Sequence, residues 1–377
     1  MTATERTLLT TAALGAVACA VGLWLDARTL LAAYFAMAVS VVAIPVGALG
    51  VLMVSYLVRG GWTRDLHPIL GTAARTMPVA GLLFVPILLG QRWLYVWAAP
   101  SFEGSAFQTF YLTPWFYSLR AFAYFLIWSA LAEWTARAYG DDDAMKRAAS
   151  AGLIVFTLTV SFAGIDWFES IEPHFHSSVY GLLFLTFVLL TGLSFGILVL
   201  LATRTRPQMR LGAYGGLLLS TLLLWAYNHA MQYIIIWAGN IPEEVTWYLK
   251  RVENGWSVPF AALVLFQFII PFGLLLSARV RNARRPLILV TAVTLLLRPW
   301  EAGILCLPPL QAPSILLGVS LCAAFAFAGA TWLILWLAPF RRQISPGGFL
   351  RSLLRAYVLD KISRAASNGR YGRRGAR

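Results

Sequence analysis

Charge is what this chain has least of. Only 12% of its 377 residues are Asp, Glu, Lys or Arg, about half the share of a soluble domain and too few to clothe a surface in water. Cysteine is almost as scarce: Cys19, Cys306 and Cys322 all lie in apolar sequence without paired spacing, so the readings as a disulfide framework, a zinc ribbon and an iron–sulfur site all fail. Of the four histidines, His67, His174, His176 and His229, only His229 falls inside an apolar run. A b-type haem needs axial ligands from two facing helices, and no Cys-x-x-Cys-His motif exists for a c-type haem. Any role in electron transfer therefore needs a quinone or a partner subunit. Phosphate-cradling glycine loops, His-Glu-x-x-His and Gly-x-Ser-x-Gly are missing too, and so are the alternating ten-residue strands of an outer-membrane barrel.

What is there is apolar: 59% hydrophobic residues and a mean hydropathy of +0.71. In lipid every backbone polar group must be satisfied within the protein, which here means helices. Apolar runs long enough for a hydrocarbon core of roughly 30 Å place ten of them, at 7–24, 30–58, 72–90, 115–138, 148–168, 177–203, 211–237, 256–280, 286–306 and 313–339. The expected fold is an all-α polytopic integral membrane protein, with one transmembrane domain over 1–340 and a basic tail over 341–377. Placing the N-terminus inside puts 24 of the 30 Lys and Arg residues inside, as retention of basic residues on the cytoplasmic side requires. Both termini are then cytoplasmic.

The small residues of "GAVACA" before Trp24 imitate a cleavage site. The n-region holds only Arg6 against Glu5, which favours an uncleaved first helix. The tail carries ten basic residues against Asp360, a net +9 of the formal +14. Leu350, Leu353, Leu354, Tyr357 and Ile362 share a helical face there, as in a helix lying on an anionic leaflet; a plain retention tail is the alternative. Nucleic acid is not an expected partner for a basic stripe beside a bilayer.

Polar groups at membrane depth are costly and need a partner or a wet cavity. Arg120 and Glu133 lie on the fourth expected span, and Arg298 and Glu301, three residues apart, can pair on one helix face. On the seventh, Thr221, Trp225, Asn228, His229 and Gln232 form a stripe, read either as an interhelical hydrogen-bond seam or as the wall of a proton path through His229. The sharpest feature is "DWFESIEPHFHSSVYG", 166–181, with three carboxylates and two histidines at the outer end of the fifth span. Solvated interface residues are one account. The other is a proton-accepting cluster of the kind quinol oxidation requires, because partly desolvated neighbouring carboxylates hold protons.

"GIDWFESIEPHFHSSVYG" resembles a segment of the ActF-type membrane subunits of alternative complex III, within the NrfD and polysulfide-reductase membrane-subunit superfamily. "FVPILLGQRWLYVWA" (84–98), "YLTPWFYSLRAFAYFLIW" (111–128) and "WAYNHAMQYIIIWAGNIPEEVTWYLKRVENGW" (225–256) are similar to that family's segments in the same order. The chain departs from them at His176 and at Asn228–His229, where it is more polar. The resemblance implies an NrfD-like fold of two four-helix bundles plus extra helices in a bacterial cytoplasmic (inner) membrane. It also implies a bound quinone or quinol (ubiquinone or menaquinone), with no haem or iron–sulfur group in this chain. Implied partners are a second NrfD-type membrane subunit, a periplasmic iron–sulfur, molybdopterin-like subunit and cytochrome c subunits. It carries proton acceptance or relay to Asp166, Glu172 and His174, supported by Arg120, Gln232, Tyr233, Glu243 and Glu244.

The expectation is thus an integral subunit of a quinol-oxidising respiratory complex that supplies a proton path and a quinone site. That path would run through Glu133, Arg120, Asn228, His229, Gln232, Tyr233, Arg298 and Glu301, and Glu243, Glu244 and Trp247 would dock the outer partner. A non-catalytic scaffold and, more remotely, a secondary transporter are the rivals. Scaffold function predicts that changes in the 241–256 loop break assembly while changes in the seventh span do not.

Overall fold

The computed structural model describes residues 3–58, 60–203, 209–253, 255–310 and 314–337. The expected amphipathic tail helix lies outside them. Among the described residues the structure is helical throughout, with no strand.

The chain opens with α1 (Ala3–Leu57), broken at Asp26, whose backbone is extended (φ −156°, ψ 95°). Asp26 Oδ1 accepts the N–H groups of Arg28 (3.0 Å) and Thr29 (3.2 Å), an N-cap that starts a second arm. The two spans expected at 7–24 and 30–58 are thus the arms of one element. Then come α2 (Gly61–Ala74) and α3 (Met77–Leu89), bent by 42° where they meet, the short α4 (Gln91–Leu94) and α5 (Ala106–Tyr111), and α6 (Pro114–Ala138) and α7 (Asp142–Trp167). After the 166–181 turn run α8 (Tyr180–Thr203), α9 (Leu211–Gly239) and the connecting helix α10 (Pro242–Val252).

The next span is continuous but uneven: α11 (Ser257–Leu263), a π-helical turn (Val264–Ile269) and α12 (Ile270–Leu276). Pro271 has no N–H for the Gln267 carbonyl, and the wide turn takes up its ring. The short α13 (Ala278–Arg281), α14 (Arg284–Cys306) and α15 (Ser314–Leu337) complete the order.

Among the described residues five helical stretches qualify by length and composition as membrane spans, Arg6–Leu57, Asp142–Ile171, Tyr180–Thr203, Ser257–Leu276 and Arg284–Cys306, and the bent α2–α3 pair makes six. This is a helical membrane protein. The shortfall from ten has four parts: the first two expected spans are merged, α6 and α9 are long enough but carry polar side chains that lower their hydropathy, and the apolar stretch Leu317–Leu333 of α15 falls just short of a span.

At the centre stands α8, buried along most of its length and packed on α1, α7, α9 and α14. Helix α1 touches it so closely at Gly47 and Gly192 that a Cβ on either would fall inside the other helix's backbone, the small-residue contact that lets membrane helices pack by van der Waals attraction.

Candidate functional site

Two polar constellations emerge from this packing. The first lies at the α7–α8 turn. Asp166, 1% exposed, ends α7 facing α6, where Arg120 grips it with both ends of its fork (Nε to Oδ2 2.8 Å, Nη2 to Oδ1 3.0 Å). Tyr124 donates to the same Oδ2 at 2.7 Å. Arg120 also donates to the Tyr111 carbonyl (2.8 Å) and sits 3.8 Å over the Tyr111 ring. Bidentate geometry with all donors placed is the condition under which a buried ion pair holds.

Glu172 faces the other way, toward α10: Lys250 Nζ donates to Oε2 (2.6 Å) and Arg251 Nη1 to Oε1 (3.1 Å). His174 is exposed. The three residues expected to form one proton-accepting cluster therefore divide into two ion pairs and a surface imidazole. The other carboxylate and the imidazole that line a cavity of about 120 Å³ with Asp166 are those of Glu169 and His176, beside Tyr111 and Gln108. Glu169 accepts the Ser177 N–H on Oε1 (3.0 Å), while its buried Oε2 has no hydrogen-bond partner. Sequence order alone could not choose between neighbours in this turn, because the 3₁₀ segment Glu169–Ile171 rotates successive side chains to different sides.

The second constellation lies between α9 and α14, where Glu301 is fully buried. Trp225 Nε1 donates to its Oε1 at 2.8 Å, His229 Nε2 lies 3.2 Å from the same oxygen, and Arg298 Nη1 lies 2.7 Å from Oε2. Arg298 is itself 1% exposed, donates to Thr294 O (3.3 Å) and lies over Phe187 and Trp225. The stripe on α9 turns inward as expected at Trp225, Asn228 and Gln232. Neither amide atom of Gln232, nor of Gln267 on the π turn, has a hydrogen-bond partner.

Beside Glu301 opens an apolar cavity of about 300 Å³ walled by Trp225, His229 and Tyr233 of α9, Val264 and Phe268 of the π turn, and Trp247 and Tyr248 of α10. Its exposed lining residues, Ala230 and Tyr233, mark the mouth, beside outward-facing Ile234, Trp237 and Phe266. Burial pushes the Tyr248 hydroxyl pKa up, against the opposing pull of Arg251.

The other expected residues lie apart. Glu133 is half-exposed and pairs with Arg137 (2.8 Å) and Arg75 (3.7 Å). It is thirteen residues beyond Arg120 on α6, about 20 Å away along the axis. Glu243 and Glu244 occupy the first turn of α10, where they complement the helix dipole. Trp247, expected on a docking surface, is 4% exposed: it stacks on Phe175 (5.2 Å) and lies 3.4 Å under the Arg251 guanidinium. Its surroundings are apolar on one face and cationic on the other, so it packs inward. Sequence reasoning missed Arg251, which is 1% exposed; its only signal was the amphipathic alternation of "PEEVTWYLKRV". Burial pulls its pKa down while Glu172 pulls it back up. Among the described residues no group of three or more His, Cys, Asp or Glu side chains converges as a metal site would need. No protein-family profile matches the chain, and no curated protein sequence matches it either.

Proposed function

We propose that the chain is an integral subunit of a quinol-oxidising respiratory complex, and that a quinol headgroup lies in the α9–α14 cavity against His229. The observation that carries this reading is the buried Glu301 beside that cavity. A carboxylate paired with a guanidinium only accepts hydrogen bonds, so His229 Nε2 donates to it and the other ring nitrogen, Nδ1, is the acceptor. A quinol hydroxyl is a matching donor, and a mostly apolar pocket with a few placed polar groups is how such headgroups are held. As two electrons leave the quinol for an iron–sulfur or haem centre of a partner subunit, two protons must go elsewhere. His229 takes one of them, forming an imidazolium that Glu301 stabilises, and the other passes to water at the cavity mouth beside Ala230 and Tyr233. Asp166 and Glu172 serve as anchors of the rim. The segment resemblance to ActF-type subunits supports the assignment, and with it we propose the same partner classes, about ten crossings and cytoplasmic termini in a bacterial inner membrane.

The test is photoaffinity labelling of the full chain in nanodiscs with an azido-benzoquinone bearing a decyl tail. Saturable label on peptides 225–233 or 301–305, competed by unlabelled decyl-benzoquinone and lost in His229→Phe, is expected. Diffuse, non-competed labelling would remove the quinone site. The scaffold reading draws on the exposed acidic start of α10 at Glu243; it predicts that Glu243→Lys releases partner subunits while His229→Phe leaves turnover of the assembled complex intact.

A further inference from the structure

The second constellation has a roof, and a single buried cation fixes it. Helix α10 lies across the outer end of the cavity and contributes Trp247 and Tyr248 to its wall. One turn on, Arg251 donates from Nε to the carbonyl of Ile304 (3.0 Å), from Nη2 to that of Leu305 (2.6 Å) and from Nη1 to that of Trp247 (2.7 Å). All three acceptors belong to residues that line the cavity. The fourth partner is Glu172 Oε1, whose other oxygen takes Lys250. Ile304 and Leu305 sit in the last turn of α14, where carbonyls have no intrahelical N–H to accept; the guanidinium fork satisfies two of them at once, which a lysine ammonium on its flexible stem does less well.

We propose that Arg251 and Glu172 are positioning residues for this cavity: Glu172 holds the guanidinium in place, and the guanidinium seats α10 against the end of α14. The roof stays down as long as that carboxylate is charged and in reach. Removing it leaves a buried cation with only neutral partners, an arrangement that favours displacement of the side chain toward water, and α10 with it. Lys250 is half-exposed and contributes little to the seat. The part of this inference that concerns ligand affinity rests on the quinol reading above; the part that concerns the roof does not.

Cys306 is a built-in reporter, since it follows Leu305 and is fully buried. In a Cys19→Ala/Cys322→Ala background, the full chain in nanodiscs is reacted with a small water-soluble maleimide, and binding of decyl-benzoquinone is measured in parallel. Glu172→Gln is expected to raise the alkylation rate of Cys306 at least tenfold and to weaken quinone binding by a similar factor. Arg251→Lys should behave like Glu172→Gln, and Lys250→Gln like wild type. Glu172→Asp, one methylene shorter and still charged, should fall between, and serves if Glu172→Gln fails to accumulate. A merely structural contribution would lower the unfolding midpoint while leaving Cys306 protected in the folded fraction, and that result overturns the proposal. So does an alkylation rate within twofold of wild type in Glu172→Gln and Arg251→Lys. If Cys306 opens as expected but wild type binds no quinone, the roof stands and the quinol reading falls.

Discussion

Replacing Glu301 by Gln keeps the shape of the side chain and removes its charge. Arg298 and Glu301 each expose about 1% of their side chains, so the change leaves a buried guanidinium without its counter-charge, hydrogen-bonded through Nε to the Thr294 carbonyl at 3.3 Å. The faces of Phe187 and Trp225, at 5.2 and 5.8 Å, sit near the far limit of cation–π attraction, about 6 Å, and offset only part of the lost charge pairing. Breaking a buried pair from one side costs about 3–5 kcal/mol. Most of that loss comes from the uncompensated buried charge, so adding Arg298→Met to Glu301→Gln, which removes the stranded cation and keeps an amide oxygen for Trp225 Nε1, should recover most of it. Function should part company with stability. The double variant, though folded, lacks the carboxylate that orients His229 and balances its protonated form, and quinol-dependent turnover should stay at the level of His229→Phe. Equilibrium unfolding in mixed micelles and turnover of the assembled complex give the two readouts. Unfolding free energies of single and double variants that lie within about 1 kcal/mol of each other, well inside the expected coupling, would refute the reasoning.

At the rim, Asp166→Ala strands Arg120 and should destabilise the fold by about 3–5 kcal/mol on the same assay; Arg120→Met in that background should restore much of it. Gly47→Ala forces α1 away from α8 at Val188 and Gly192, and overpacking of this kind costs typically about 1–3 kcal/mol, measurable as a lower midpoint. Asp141 caps α7 by accepting the N–H groups of Ala144 and Asp143, which holds its carboxyl below the ordinary 3.8. A depressed carboxylate contributes above its unfolded value and is lost as pH falls through its folded value. Amide exchange over 142–146 should therefore quicken, relative to the rest of α7, only below about pH 3.8, and Asp141→Asn should flatten that dependence.

The 166–181 turn shows how far a linear reading reaches. The sequence marked Asp166 and Glu172 as either solvated or proton-accepting, with Arg120 as a support, whereas both are held in ion pairs. Which carboxylate met which cation did not follow: Lys250 and Arg251 are more than seventy residues from Glu172, and the helical face of α10 that turns inward depends on what covers it. The Arg298–Glu301 pair was legible because three residues on a helix share a face. Its conjunction with Trp225 and His229 was not, since it depends on how α9 and α14 meet across α8.

Amino-acid order alone determined that this protein is helical and lipid-embedded, because scarcity of charge and long apolar runs leave the backbone no other way to satisfy its polar groups. It also fixed which few polar side chains had to be kept from the hydrocarbon. The packing of α9, α10 and α14 decided which of them met. Desolvation requires every buried charge to find a counterpart, but only the three-dimensional approach of distant segments chooses the counterpart, and with it the cavity at which His229 is aimed.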